Sequence, residues 1–320
     1  MAVAAALEKL VPVLLAFGCG VLLARRKVVP ADSSRVFADY AFLFAVPCYL
    51  FGNIYTSDLR ALFEWRAVLG YATAAGLAVV GVGVAARLRG GLGLRGAALR
   101  IMASVQVNTA YFAVPVFITV FGTAAPVFPV LLFQVCVLSL VVIAVMELGR
   151  RTPAADGPGP GGSRPLRALA ASLTTPLVLA CNAGVLLNLL SVPVPGPVLA
   201  GFAFVGDSAS PVALFALGLH LGGTGLNLRG TTAEEAVLVA FKCAGFPLLT
   251  WAVCAGAFGV TGDRLAYLVL IAAMPAPQNV FVFAQRYEVD VDLSAALVIK
   301  SSVAALLLLP LWIQWAAAVP

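Results

Sequence analysis

Runs of about twenty residues with almost no charge recur along this chain, and they constrain its fold more than any other feature. A helix needs about 20 apolar residues to cross the hydrocarbon core of a bilayer. On that length the sequence reads as ten spans: 4–24, 36–56, 66–87, 99–121, 125–147, 171–190, 198–221, 234–258, 264–285 and 292–316. Backbone polar groups inside a bilayer must be satisfied within the protein, so each run is expected to be helical. Composition agrees, with 62% hydrophobic and 11% charged residues, against roughly 25% charged in soluble domains. The expected class is an all-α, multi-pass protein in the lipid bilayer of the plasma (inner) membrane.

Connections between spans are short except for Gly149–Arg167, which contains ADGPGPGGSRP. So many Gly and Pro residues preclude regular structure. The expected organisation is a first half over 1–148, a loop over 149–167 and a second half over 168–320. Arg25, Arg26 and Lys27 follow the first apolar run. A secretory signal carries its charge before that run, so a retained first helix is expected.

Basic residues set the orientation. Connections after odd-numbered spans carry 14 Lys and Arg residues, the opposite side carries 4, and Lys242 and Lys300 lie within spans. The positive-inside rule then places the Gly/Pro-rich loop in the cytoplasm and both termini outside. The formal charge of +6 therefore reports orientation and points to no nucleic-acid partner. Five spans per half force the second half to insert upside down relative to the first. Pro47 and Pro211, in spans 2 and 7, and Pro115 and Pro275, in spans 4 and 9, fall at matching places. This predicts two inverted five-helix repeats.

Two spans carry interruptions. Span 9 reads AAMPAPQNVFVFAQRY over Ala272–Tyr287, with Pro275, Pro277, Gln278 and Asn279 in an apolar setting. Span 4 reads VNTAYFAVP over Val107–Pro115. Paired interruptions at corresponding places in two halves point to the binding site of a secondary transporter. If both spans unwind at their prolines and cross there, half-helix N-termini meet within the membrane. Their N–H groups and positive dipole ends suit an anion, and the amides of Asn108, Gln278 and Asn279 add donors without a competing charge. Thr109 and Gln134 join the candidates; the alternative is that such groups bond helices to each other.

Ionisable side chains within spans are costly and are read first as functional. Asp207 in span 7 is a candidate for proton coupling, and Lys242 and Lys300 for balancing a substrate carboxylate. The alternatives are a structural ion pair, or lysines snorkelling to the interface. Asp39, near the start of span 2, and His220, at the end of span 7, read as interfacial, and Glu147 as a cap on span 5. The six cysteines all lie in apolar runs without a CxxC pair, reading as small buried hydrophobes; no metal site and no cofactor is expected. GLGLRG (Gly91–Gly96) has no preceding strand and reads as a turn, not a P-loop.

At these residues the chain resembles the auxin efflux carrier family, whose members include plant auxin exporters and bacterial permeases for organic acids. The resemblance spans nearly the whole length. It rests on FAVP (Phe44–Pro47), on Asn108, Thr109 and Pro115, on Gln134 and Glu147 bracketing an apolar run, and on Pro275 followed by FVFAQRYEV (Phe281–Val289). Val107 stands where the plant carriers have a proline, and the central loop is far shorter than in many of them. The resemblance implies ten helices in two inverted repeats, with spans 1, 2, 6 and 7 as a scaffold and spans 3–5 and 8–10 as an elevator-like moving domain. It also implies substrate at the crossing of spans 4 and 9, and a homodimer. The expected function is export or exchange of a small organic acid, auxin-like or a dicarboxylate. Rival readings are an ion-coupled organic-anion symporter of the bile-acid-symporter-like fold, an intramembrane enzyme and a passive channel.

Overall fold

The computed structural model describes residues 2–59, 63–88, 92–149, 176–224 and 230–318. Among them helix is the sole regular element, and every apolar run is helical over most of its described part. In chain order these are α1 (Ala2–Arg25), α2 (Ser34–Tyr40), α3 (Val46–Thr56), α4 (Trp65–Leu88), α5 (Leu94–Val105), α6 (Val114–Phe121), α7 (Val127–Phe133) and α8 (Ser139–Leu148). The second half holds α9 (Pro176–Leu189), α10 (Gly196–Gly206), α11 (Ala209–Thr224), α12 (Ala233–Ala240), α13 (Phe246–Gly256), α14 (Gly262–Ala272), α15 (Asn279–Tyr287) and α16 (Val291–Ala318). Among the described residues, five continuous helical runs are long and apolar enough to cross a membrane: Ala31–Thr56, Trp65–Leu88, Gly196–Gly223, Ala233–Gly256 and Val291–Ala318. The Gly/Pro-rich loop lies outside the described residues, apart from Gly149.

Prolines explain much of the local irregularity. A helical proline lacks its N–H, and its ring presses on the carbonyl four residues earlier. Widening that turn from i→i+4 to i→i+5 bonding relieves the clash. Wide turns occur at Ala41–Ala45, Thr109–Ala113 and Phe241–Gly245. They lead directly into helices carrying Pro47, Pro115 and Pro247 in the first turn. At Phe241–Gly245, Trp312 Nε1 donates to the Cys243 carbonyl at 3.0 Å, the carbonyl four residues before Pro247. Pro211 is accommodated differently: α10 and α11 part at Asp207 and Ser208, again four residues upstream. Pro12 and Pro310 lie inside unbroken helices.

The helices pack in two sets. In the first, α1 lies along α11, and α3 lies against α9 and α10. Backbones approach closely there: a Cβ on Gly218 would stand 2.1 Å from the Phe17 carbonyl oxygen, and one on Gly20 2.3 Å from that of Phe215. In the second set, α4 packs on α5 and α13, α13 on α14, α5 on α8, and α16 on α12, α14 and α15. Its core includes the buried Tyr71, Phe128 and Phe246, and Tyr71 meets Phe246 edge-on at 5.9 Å between ring centroids. A separate apolar cluster gathers Leu99, Met102, Met146, Val280 and Leu297. Cys48, Cys181, Cys243 and Cys254 are buried free thiols, as expected of small hydrophobes, whereas Cys19 is exposed. The Cys136 side chain lies outside the described residues.

Candidate functional site

Both interrupted spans unwind. In span 4, α5 ends at Val105 and non-helical backbone runs through Gln106–Asn108, with Thr109 N–H bonded to the Val107 carbonyl at 2.8 Å, before the wide turn Thr109–Ala113. The unwinding therefore precedes Pro115 and is not located at it: the proline fits the first turn of α6, which the wide turn prepares. In span 9, α14 ends at Ala272 and α15 begins at Asn279, so the opening does contain Pro275 and Pro277. The two openings touch, for the Asn108 amide donates to the Pro275 carbonyl at 2.9 Å.

Each opening is also held by a side chain from the following span. Val107 N–H donates to Gln134 Oε1, and Ala276 N–H donates to Ser301 Oγ at 3.1 Å. Gln106 reaches Ser139 Oγ at 3.4 Å, and Ser139 in turn donates to the Gln134 carbonyl at 2.9 Å. These bonds matter because a buried N–H left unpaired costs about 1–3 kcal/mol. Gln134 is buried and bonds a neighbouring span, the helix-bonding alternative of its two readings. Ser301 and Gln106 were not singled out by sequence reasoning. The only signal for Ser301 was a Lys-Ser-Ser triplet in an otherwise apolar run.

Asn108 and Thr109 are buried, Gln278 is half-buried and Asn279 is exposed. Gln278 lies in the wall of a pocket of about 320 Å³ that also takes in Arg35, Asp39, Leu217 and His220. Of the span 9 opening, Gln278 is the residue that lines this pocket. Arg35 pairs loosely with Asp39 at 3.9 Å, both side chains exposed. Pro115 faces the first helix set: its carbonyl accepts from Ser210 Oγ at 2.9 Å, and Ser210 and Thr119 hydroxyls lie 2.7 Å apart.

The three ionisable candidates separate. Asp207 is exposed at the joint between α10 and α11, and no described contact joins it to the openings. Lys300 closes a buried ion pair with Glu235, which also caps α12 through a reciprocal bond with Thr232. Lys242 is fully buried; its Nζ donates to the Ala272 carbonyl at 3.1 Å and stands 4.9 Å from the Phe246 ring centre. It therefore caps the carbonyl end of α14, where the helix dipole is negative. Arg100, counted by sequence among the connecting charges, is buried between Glu234 at 2.6 Å and Asp290 at 2.5 Å. The Glu147 side chain lies outside the described residues.

The sequence matches the family described as membrane transport protein over residues 5–156 and 166–313. The gap between the matched segments falls in the Gly/Pro-rich loop. No curated protein matches the chain. Span-length apolar helices, two touching unwound segments and a match over nearly all the residues converge: the chain belongs to the membrane transport protein family, the auxin efflux carrier family that its motifs resemble.

Proposed function

We propose that this protein is a secondary transporter of small organic carboxylate anions, with substrate held where spans 4 and 9 unwind. The observation that carries the reading is the contact between the openings, Asn108 N–H to the Pro275 carbonyl at 2.9 Å. It joins the two openings that lead into helix starts at Thr109 and Asn279. Helix starts present N–H groups and partial positive charge, which favour a carboxylate. Gln278 and Asn279 are accessible beside them and supply amide donors. The reading includes ten spans as two inverted repeats that cross at these openings. The positive-inside bias places the Arg35 and His220 pocket on the cytoplasmic side, so this conformation receives substrate from the cytoplasm.

The two packing sets support a reading of alternating access. Spans 3–5 and 8–10 carry both openings and would slide as an elevator against spans 1, 2, 6 and 7. Substrate gradients or the membrane potential supply the drive. An ion-coupled symporter would differ in requiring sodium or a proton gradient.

The test is charge movement across proteoliposomes on a solid support, challenged with mono- and dicarboxylates and indole-3-acetate, with and without sodium. A saturable current for at least one acid is expected. Asn279→Ala removes one donor to a charged group, worth about 1.5–3 kcal/mol, so half-saturation should rise about tenfold to a hundredfold. Unaltered half-saturation in both Asn279→Ala and Asn108→Ala would refute the site. Product release without vectorial movement would point to an enzyme.

A further inference from the structure

The Arg35 pocket lies at the start of the helical run Ala31–Thr56, and a second cavity, of about 390 Å³, lies just past its end. Tyr71 of α4, Phe133 of α7 and Tyr267 of α14 give this cavity aromatic walls, and Ser57, directly after α3, closes it from the first helix set. Tyr71 and Phe133 meet edge-on at 6.1 Å between ring centroids. Exposed Asp58, Asp263 and Arg264 complete the polar part of the lining. One wall residue stands out. Tyr71 is 1% exposed, yet its hydroxyl has no hydrogen-bond partner. Buried hydroxyls are normally paired, so the exception marks a place where a ligand atom would be welcome. Apolar walls with a few polar groups are also the usual make-up of a small-molecule site.

We propose that this cavity binds an uncharged ring compound whose carbonyl accepts from the Tyr71 hydroxyl. Charge argues against the carboxylate substrate itself. Two carboxylates stand against one guanidinium in the lining, and an anion among aromatic walls would exchange its hydration for a single neutral donor. An uncharged ring compound gives up little water and fills the aromatic walls. Such an occupant touches Ser57, at the end of α3, together with α4 and α14 of the second helix set. It therefore acts as a brake, slowing carboxylate transport without competing at the openings. The brake rests on the alternating-access reading above; the binding site does not. The positive-inside bias turns this cavity outward, so the compound arrives from the external side.

The experiment uses the full-length protein in proteoliposomes and benzophenone, a two-ring ketone that attaches to neighbouring C–H bonds when illuminated. Labelling should saturate with concentration and map by mass spectrometry to 67–71, 123–133 and 263–268. Phenyl benzoate should displace the probe at a concentration roughly threefold to tenfold lower than 1,2-diphenylethane, which lacks the carbonyl, at equal amounts in the bilayer. Tyr71→Phe keeps the ring and should abolish that advantage. Phenyl benzoate should also lower the maximal carboxylate current, and excess acid should not overcome it. Labelling that never saturates, or equal displacement by the two competitors in wild type, would overturn the ligand site and leave the cavity to lipid acyl chains. An advantage that survives in Tyr71→Phe would overturn the role of the hydroxyl. A saturably labelled cavity with undiminished current would overturn the brake. If no acid gives a current, the transport reading falls, and labelling still decides the site.

Discussion

Gln134 and Lys300 show how much a single side chain means only through its partner. Gln134 accepts from an amide that helix geometry abandons at Val107. Gln134→Leu removes the acceptor and keeps the volume, so it should cost about 1–3 kcal/mol. A lowered melting temperature of the detergent-purified protein checks it; a melt unchanged from wild type would mean that Val107 finds another acceptor. Lys300→Met strands Glu235 in a buried site, for which losses of about 3–5 kcal/mol are typical. Adding Glu235→Gln should recover most of that loss. A double variant no more stable than Lys300→Met would show that the pair is not what holds this corner together. In the sequence Lys242 and Lys300 look alike, each about two turns into an apolar span. They differ because Glu235 stands 65 positions from Lys300 and faces it, a relation no local pattern encodes. That Asn108 and Asn279 flank the openings was legible because each sits close to a proline in an interrupted apolar span. Ser301 was not, since a serine hydroxyl in a span usually bonds its own helix.

Helix-forming runs could be read directly because bilayer thickness imposes a length, and length survives any detail of packing. Where a span opens could not be read as directly. Pro115 drew the expected break in span 4 toward itself, but a widened turn absorbs the proline and the chain opens at Gln106–Asn108. The same logic makes Trp312 a repair device, since its indole serves the carbonyl beside Pro247. Trp312→Phe keeps most of the ring and deletes the donor, so it should lower stability by about 1–3 kcal/mol, read as a fall in melting temperature. If Pro247→Ala abolishes that penalty, the proline is its cause; an equal penalty in both backgrounds would assign it to lost packing. Glycine placement gives the contrasting case of a close contact between elements. A side chain at Gly218 meets the Phe17 backbone, which cannot rotate away, so Gly218→Val should force α1 and α11 apart. Overpacking costs typically reach about 1–3 kcal/mol. Gly52→Ala, at a position with open space around it, is the control expected to leave the melt unchanged.

At the scale of the whole molecule, the two helix sets meet where Pro115 faces α11. Thr119 lies on α6, in the span that opens at Gln106–Asn108, and Ser210 on α11 of the first set, and their hydroxyls lie 2.7 Å apart. If the sets slide as proposed, this contact must break in every cycle; if the protein works as a rigid channel, it can persist. Replacing both residues, Thr119→Cys with Ser210→Cys, converts the contact into a test. Hydroxyls this close place the two Cβ atoms within range of the roughly 3.5–4.5 Å that a disulfide requires. The native cysteines near the core are buried and compete poorly for oxidant, while Cys19 is exposed and should be replaced by serine first. Oxidation should stop transport, and a reductant should restore it, with substrate binding retained in the locked form. Binding would survive because the lock lies beyond Pro115 and leaves Gln278 in the wall of its pocket and Asn279 exposed. Cross-linked protein that transports at the uncross-linked rate would refute relative movement of the two sets. It would leave the touching openings as a site within an immobile pore.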